Sequence, residues 1–473
     1  MTEQILWSGF GLVTALQARV HGALPAGATG VSIDTRTLKP GELYFAIIGE
    51  TNDGHDFVAA ALEKGASAAV VDEAHADALK ALGPLFVVRD TLRALESLGV
   101  ASRARSKAGV IAVTGSVGKT STKEALKLVL STAGETHASV ASYNNHWGVP
   151  LTLARMSQSA KFGVFEIGMN HAGEITPLVA MVKPHAAIVT TVAPVHLENF
   201  ASVDGIADAK AEIFSGLTPN GVAIIHRDIA QFDRMRDIAR ASASAQVLSF
   251  GEDEKADARL EKTELVAGAQ VITANVLGTH IRYRLGAPGR HMAVNSLAVL
   301  LGARALGMDL PDAARALAKF EPPSGRGQRL KLLAPSGVFT LLDESYNANP
   351  ASMKAAFSLL GEEPGARRRI AVLGDMLELG PESAALHRGL RESIEAAGVD
   401  LVFASGPMMK HLFDDLPASL KGGWAEASSG IADRVAGAIE AGDIVMIKGS
   451  NGSRMGPIVT MLKERFGLST EAA

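Results

Sequence analysis

Val113-Thr-Gly-Ser-Val-Gly-Lys-Thr-Ser121 decides the fold. An apolar run, Val110-Ile-Ala-Val113, leads into it, and Leu126, Val129, Leu130 and Ala133 follow at i, i+3, i+4 and i+7, one face of a helix. Phosphate binding needs this order of strand, glycine loop and helix. The glycines let several backbone N–H groups converge on phosphate oxygens, and the helix N-terminus adds the positive end of its dipole. Lys119 supplies a full charge to the terminal phosphates, and the Thr120 hydroxyl can ligate magnesium. The spacing departs from the usual G-x-x-x-x-G-K-[ST], because Val113 stands where the first glycine would be and Gly115 anchors the loop instead. Gly115, Ser116, Val117, Gly118, Lys119, Thr120 and Ser121 are therefore expected to hold a nucleotide.

Outward from the loop, short apolar runs alternate with helical patterns. Val164-Phe-Glu-Ile167, Ala187-Ile-Val-Thr-Thr-Val192 and Val222-Ala-Ile-Ile225 read as buried strands. A second series contains Val338-Phe-Thr-Leu-Leu342, Ile370-Ala-Val-Leu373, Leu401-Val-Phe403 and Ile444-Val-Met-Ile447. This alternation predicts an α/β protein with mainly parallel sheets. Ser102–Gly109 is basic and rich in small residues, and Pro322-Pro-Ser-Gly-Arg-Gly327 is rich in breakers, so both read as hinges. They divide the chain into three domains at 1–108, 109–320 and 321–473.

Composition excludes several function classes. The 473 residues, 47% of them hydrophobic, are enough for sizeable cores. A net charge of −4 and 5% aromatics give no electrostatic or stacking case for a nucleic-acid partner. Without cysteine there is no disulfide, thiolate metal site or cysteine nucleophile. The N-terminus lacks a signal-peptide pattern, and no apolar run reaches the ~20 residues of a membrane helix. A soluble, cytoplasmic chain is expected. The 48 glycines lack a strict repeat and belong to turns, caps and close backbone approaches.

The Thr-Gly-Ser-Val-Gly-Lys-Thr form resembles the Mur ligase and folylpolyglutamate synthase superfamily, and further segments match in order. They are Ser142-Tyr-Asn-Asn-His-Trp-Gly-Val-Pro150, Phe165-Glu-Ile-Gly-Met-Asn170, Pro194-Val-His-Leu-Glu-Asn-Phe200 and Ala209-Lys-Ala-Glu-Ile-Phe214. Gly289-Arg-His-Met-Ala-Val-Asn-Ser-Leu297 and Gly325-Arg-Gly-Gln-Arg329 follow. Asp343-Glu-Ser-Tyr-Asn-Ala-Asn-Pro350, Leu373-Gly-Asp-Met-Leu-Glu-Leu-Gly380 and Lys448-Gly-Ser450 narrow the likeness. They resemble the Mur ligases that join D-alanyl-D-alanine to UDP-N-acetylmuramoyl-tripeptide. Ser32-Ile-Asp-Thr-Arg36, Pro40–Ala46 and Asp53-Gly-His-Asp-Phe57 resemble the UDP-side domain of that type. Trp147, Ser142-Tyr143, Asn451 and Gly456 depart from the family's usual residues.

The resemblance implies a small N-terminal α/β UDP-binding domain, a central P-loop ATPase-like parallel-sheet domain and a C-terminal Rossmann-like α/β domain that brings the amine substrate and closes the site. It implies that ATP activates a carboxylate as an acyl phosphate, which the amine of D-alanyl-D-alanine then attacks. Lys119, His196 and Lys210 would be catalytic. Thr120, Glu166, His196 and Lys210 would hold two Mg2+ ions, with Lys210 carbamylated. Asn295, Arg326, Asp343, Tyr346 and Asn347 would contact the nucleotide. Asp34, Thr35, Arg36, Asp53, His55, Asn144, Asn145 and Ser450 would contact the UDP-sugar–peptide substrate. The chain is expected to work as a monomer. Two other readings stay open at this stage: a Mur-type ligase that adds a single amino acid, and a P-loop ATPase without ligase activity.

Overall fold

A computed structural model describes residues 4–140, 142–194, 198–243, 245–266 and 269–469. Three main sheets succeed one another along the chain. The first has the strand order 19–21, 85–88, 68–72, 42–45, 30–32, all parallel except the edge strand 19–21. The third runs 328–334, 337–344, 444–448, 369–374, 401–405, 421–425, parallel beyond the opening hairpin.

The middle sheet positions the phosphate loop. Its nine strands run 279–285, 269–276, 258–266, 246–251, 222–226, 186–189, 109–114, 162–166, 136–138. Strand Gly109–Thr114 lies between Phe162–Glu166 and Ala186–Val189, parallel to both. The chain crosses from one side of that strand to the other after residue 166, which makes its C-terminal end a topological switch point, where open α/β sheets bind ligands. The strands Gly109–Thr114 and Ala186–Val189 read as nearly continuous apolar runs because both faces are covered. Leu126, Val129 and Leu130 of helix Lys119–Ser131 and Leu297, Leu300 and Leu301 of helix Arg290–Ala305 cover one face. Helices Ile175–Val182 and Val203–Ala211 cover the other.

Two details differ from the sequence reading. The strand expected to continue to Val192 ends at Val189, because the next residue turns to meet the phosphate loop. Strands Ala258–Val266, Ala269–Val276 and Thr279–Leu285 form an antiparallel meander on the edge of an otherwise parallel sheet. Its strands alternate weakly, and Arg259-Leu-Glu-Lys-Thr-Glu264 is too polar to stand out as a strand.

The first sheet is joined to the middle one by specific contacts. Trp7 Nε1 donates to Ala154 O (2.9 Å) and Arg155 Nε donates to Val31 O (2.6 Å). Helix Thr91–Arg105 packs against Gly148–Ala154, where Gly99 lets the two backbones approach. No helix among the described residues is long and apolar enough to cross a membrane.

Candidate active site

The middle and third domains share a cavity of about 780 Å³. Ser116, Val117, Gly118, Lys119 and Ser121 line it, as do Asn144, Glu166, Asn295, Arg326, Tyr346 and Asn347. Eleven of the residues singled out in the sequence therefore converge on one space, drawn from segments over 200 residues apart.

The loop is shaped by its glycines. Gly115 has φ +146° and Gly118 φ +86°, conformations open to glycine and strained for other residues. A Cβ on Gly115 would overlap the Thr190 hydroxyl, and one on Gly118 would lie 2.6 Å from Asn295 Nδ2. Thr190 Oγ in turn bonds to Val117 O at 2.5 Å. Ser116 is tied to the same strand end, its hydroxyl donating to Ala193 O (3.1 Å) and accepting from Ala193 N (2.9 Å). Lys119 Nζ donates to Gly115 O (2.7 Å), closing the loop on itself. Burial pushes the Lys119 ammonium pKa down, against the pull of Glu166 and with the help of Arg326.

Glu166 ends the neighbouring strand and is buried. Its Oε1 accepts from Asn144 Nδ2 (2.8 Å), while Oε2 is buried without a hydrogen-bond partner. Thr120 Oγ is likewise buried and unpartnered. An orphaned carboxylate oxygen and an orphaned hydroxyl, beside a lysine in a phosphate loop, form a donor set that fits Mg2+, a hard ion taking few protein ligands. Lys210, on helix Val203–Ala211, is 2% exposed. Burial holds its pKa well below the ordinary lysine value, and the charge of Lys119 lowers it further. His196 lies outside the described residues.

Arg326 reaches across the hinge. Its guanidinium sits 4.4 Å over the Tyr346 ring, and its Nη2 donates to Ser142 Oγ at 3.4 Å. Asp343, expected to touch nucleotide, is 2% exposed and does not line the cavity. One carboxylate oxygen accepts from Ser324 Oγ (3.1 Å) and Gly325 N (2.8 Å), and the other from Ser345 N (3.2 Å) and Oγ (2.6 Å). It fastens the hinge segment to the third domain. Ser450, also absent from the lining, donates to Ala348 O and accepts from Leu377 N. Asn145 Oδ1 accepts from Trp147 N and Gly148 N at the start of the next helix.

The residues expected to bind UDP fall into two groups, neither lining this cavity. In the first, Arg36 is chelated by Asp34 (Nη2 to Oδ2, 2.7 Å), whose carboxyl pKa that guanidinium lowers, and Thr35 O accepts from Lys64 Nζ. This turn carries the exposed Arg36. In the second, His55 is buried rather than presented to a ligand: Nδ1 bonds to Asp53 (2.6 Å), and Nε2 accepts from Asp72 N (3.1 Å). Its ring stacks on His75 at 4.0 Å, and His75 Nδ1 bonds to Asp72 (2.7 Å). Asp53, His55 and His75 are close enough to hold a metal ion between them. The two Nδ1 atoms are engaged by different carboxylates, His55 with Asp53 and His75 with Asp72, so the cluster is already satisfied by hydrogen bonds.

Sequence reasoning missed Thr190, which shapes the loop, and the pair Lys448 Nζ–Glu344 Oε2 (3.2 Å) in the cavity wall. Glu344 and Lys448 face each other in register on adjacent strands, a pairing that no local pattern announces.

The profile of the Mur ligase middle domain matches residues 113–303, that of the Mur ligase glutamate ligase domain 328–451, and that of the Mur ligase family catalytic domain 28–98. The UDP-N-acetylmuramoyl-tripeptide–D-alanyl-D-alanine ligase of Rickettsia prowazekii is 32% identical over 96% of this chain and 99% of its own. The protein of the same name from Escherichia coli is 37% identical over 80% of this chain and 81% of its own. A crystal structure of MurF from Acinetobacter baumannii superposes with a TM-score of 0.84 at 30% identity, covering 97% of this chain and 99% of that one. MurF from Thermotoga maritima, solved with ADP, shares the fold (TM-score 0.77, 24% identity, 92% and 97% covered).

Proposed function

The chain belongs to the Mur ligase family, and on that premise we propose that it joins D-alanyl-D-alanine to UDP-N-acetylmuramoyl-tripeptide with ATP, forming the pentapeptide precursor of peptidoglycan for cell-wall growth. The observation that carries this reading is the match of all three domains, in order, to ligases of this name over nearly the whole chain.

The tripeptide carboxylate attacks the γ-phosphate of ATP, giving an acyl phosphate and ADP. The dipeptide amine then attacks the acyl carbon, phosphate leaves and the ammonium proton is released. Two anions must meet in the first step, so cationic and dipolar groups have to offset their repulsion. Lys119 and the N–H groups of residues 116–119 would hold the phosphates at the N-terminus of helix Lys119–Ser131. Thr120 Oγ and Glu166 Oε2 would take one magnesium ion, which supplies charge neutralisation to the phosphate oxygens. Asn144 keeps Glu166 aimed at that position.

His196 and Lys210 would complete a second magnesium site. The burial of Lys210, with the charge of Lys119 lowering its pKa further, supports carbamylation, since a neutral amine is the form that adds carbon dioxide. Arg326, stacked on Tyr346, would bring the third domain onto the nucleotide, and closure would keep water from the acyl phosphate. Asn295 and Asn347, both lining the cavity, would contact the nucleotide. The Asp34–Arg36 turn would receive the UDP moiety. The domain limits 1–108, 109–320 and 321–473, a monomeric state and a cytoplasmic location belong to the same proposal.

The test is ADP release from the purified chain with UDP-N-acetylmuramoyl-tripeptide and D-alanyl-D-alanine, each omitted in turn, with single amino acids as replacements. Release that requires both substrates and ignores single amino acids is the expected result. Release indifferent to both identifies a plain ATPase.

A further inference from the structure

Lys123 lies one turn beyond the phosphate-binding lysine and is fully buried. An ammonium is costly to bury without partners, and Glu124 and the Ser139 carbonyl are among those it has. Nζ is 2.7 Å from Glu124 Oε1 and donates to Ser139 O at 2.9 Å. Ser139 is where strand Thr136–Ala138 gives way to the loop that carries Ser142, Tyr143 and Asn144.

That loop connects both halves of the molecule. Ser139 Oγ accepts from Glu166 N (3.4 Å), and Asn144 O accepts from Gly168 N (2.8 Å). Asn144 Nδ2 holds Glu166 Oε1, and Ser142 Oγ receives Arg326. On its other side, Tyr143 packs against the apolar core of the first domain. Trp147 closes on Gly49 of the same domain. The loop therefore spans from the first domain to the cavity, and on the ligase reading a UDP-linked peptide would pass along it to present its carboxylate to ATP.

We propose that Lys123 is a positioning residue for the UDP-peptide substrate: by gripping Ser139 O from the phosphate-loop helix, it sets the loop that carries Ser142, Tyr143 and Asn144. The inference rests on the proposed ligase reading. Lys123 is not among the residues lining the cavity; it would act through Ser139.

The experiment compares the full-length chain with Lys123→Met, which keeps length and loses the donor, and Lys123→Gln, which keeps a donor. Calorimetry without ATP measures the Kd for UDP-N-acetylmuramoyl-tripeptide, and a separate titration measures that for a non-hydrolysable ATP analogue. Lys123→Met is expected to weaken the UDP-peptide about tenfold and the ATP analogue by less than about twofold, with Lys123→Gln in between. Amide exchange should quicken across residues 139–145. Unchanged UDP-peptide affinity, or equal weakening of both ligands, overturns the inference. If Lys123→Met does not fold, Lys123→Gln decides by the same two affinities, with a threefold selective loss as the threshold. A wild-type chain that fails to bind the UDP-peptide refutes the ligase reading itself and removes the premise.

Discussion

Burial, and after it the positive charge of Lys119, depresses the pKa of Lys210, and both lysines are enclosed by the protein. A lysine of the phosphate loop thus lies within electrostatic reach of a second lysine that burial already holds toward its neutral form. On the proposed reading, one side chain would serve as a cation for phosphate while the other would be modified into an anion.

Lys210→Ala is expected to lower kcat by about a thousandfold or more, the scale of losing a group that stabilises transition-state charge. Small carboxylates such as formate or acetate should restore part of the rate by occupying the vacated space. The check is a steady-state assay with increasing carboxylate; wild-type activity in the unsupplemented variant would remove the metal role of Lys210.

Gly115→Ala places a Cβ onto the Thr190 hydroxyl in a backbone conformation that alanine rarely adopts. The expected outcome is a loss of about 1–3 kcal/mol in stability and weaker ATP-analogue binding, with UDP-peptide binding little changed. Urea unfolding and two separate titrations read these effects.

The His75 cluster predicts a pH dependence. The hydrogen bond to Asp72, aided by the charges of Asp53 and Asp56, raises the His75 pKa above its ordinary value of 6.5. Its contribution to stability is therefore fully present below about pH 6.5 and declines as pH rises through the raised folded-state value. Burial alone would raise the Asp53 and Asp72 carboxyls, but hydrogen bonds from His55 and His75 outweigh it and lower them, so their share is lost toward acid instead. His75→Gln should remove the decline on the alkaline side. The effect should be under about 1 kcal/mol, because His75 is partly solvent-screened. Melting temperatures from about pH 5.5 to 8.5 provide the comparison; a constant gap between the two proteins contradicts the assignment.

Asp343→Ala removes the acceptor of four hydrogen bonds and leaves buried donors behind. It is expected to destabilise the chain by about 3 kcal/mol and to raise the KM for ATP through the loss of Arg326 placement. Asp343→Asn should lie between, since it retains one acceptor oxygen. Equal KM values for ATP in all three proteins would limit Asp343 to a stabilising role.

Local signals made the phosphate loop, its flanking strand and helix, and the parallel strands around them readable from the sequence. Glycine geometry, the dipole at the helix start and long apolar runs each act within a few residues. Residues whose roles depend on distant partners were not readable. Asp343 looks like any acid at a strand end until Ser324 and Gly325 fold back onto it. His55 looks like a ligand-facing turn residue until Asp72 and His75 arrive from the next strand and helix. Lys123 reads as a solvated helical lysine, because nothing near it in sequence shows that Ser139 will cover it.

The Asp343 clamp also determines which part of the linker can bend. Ser324 and Gly325 are bound to the third sheet, and Gly327 N donates to Asp343 O at 2.8 Å. The segment rich in breakers is therefore not uniformly pliable. Arg326 travels as rigid cargo of the third domain, already stacked on Tyr346, and any swing between the domains must be absorbed upstream, at Glu321-Pro322-Pro323. Two consecutive prolines restrict φ there, so the motion has few torsions available to it and a narrow arc.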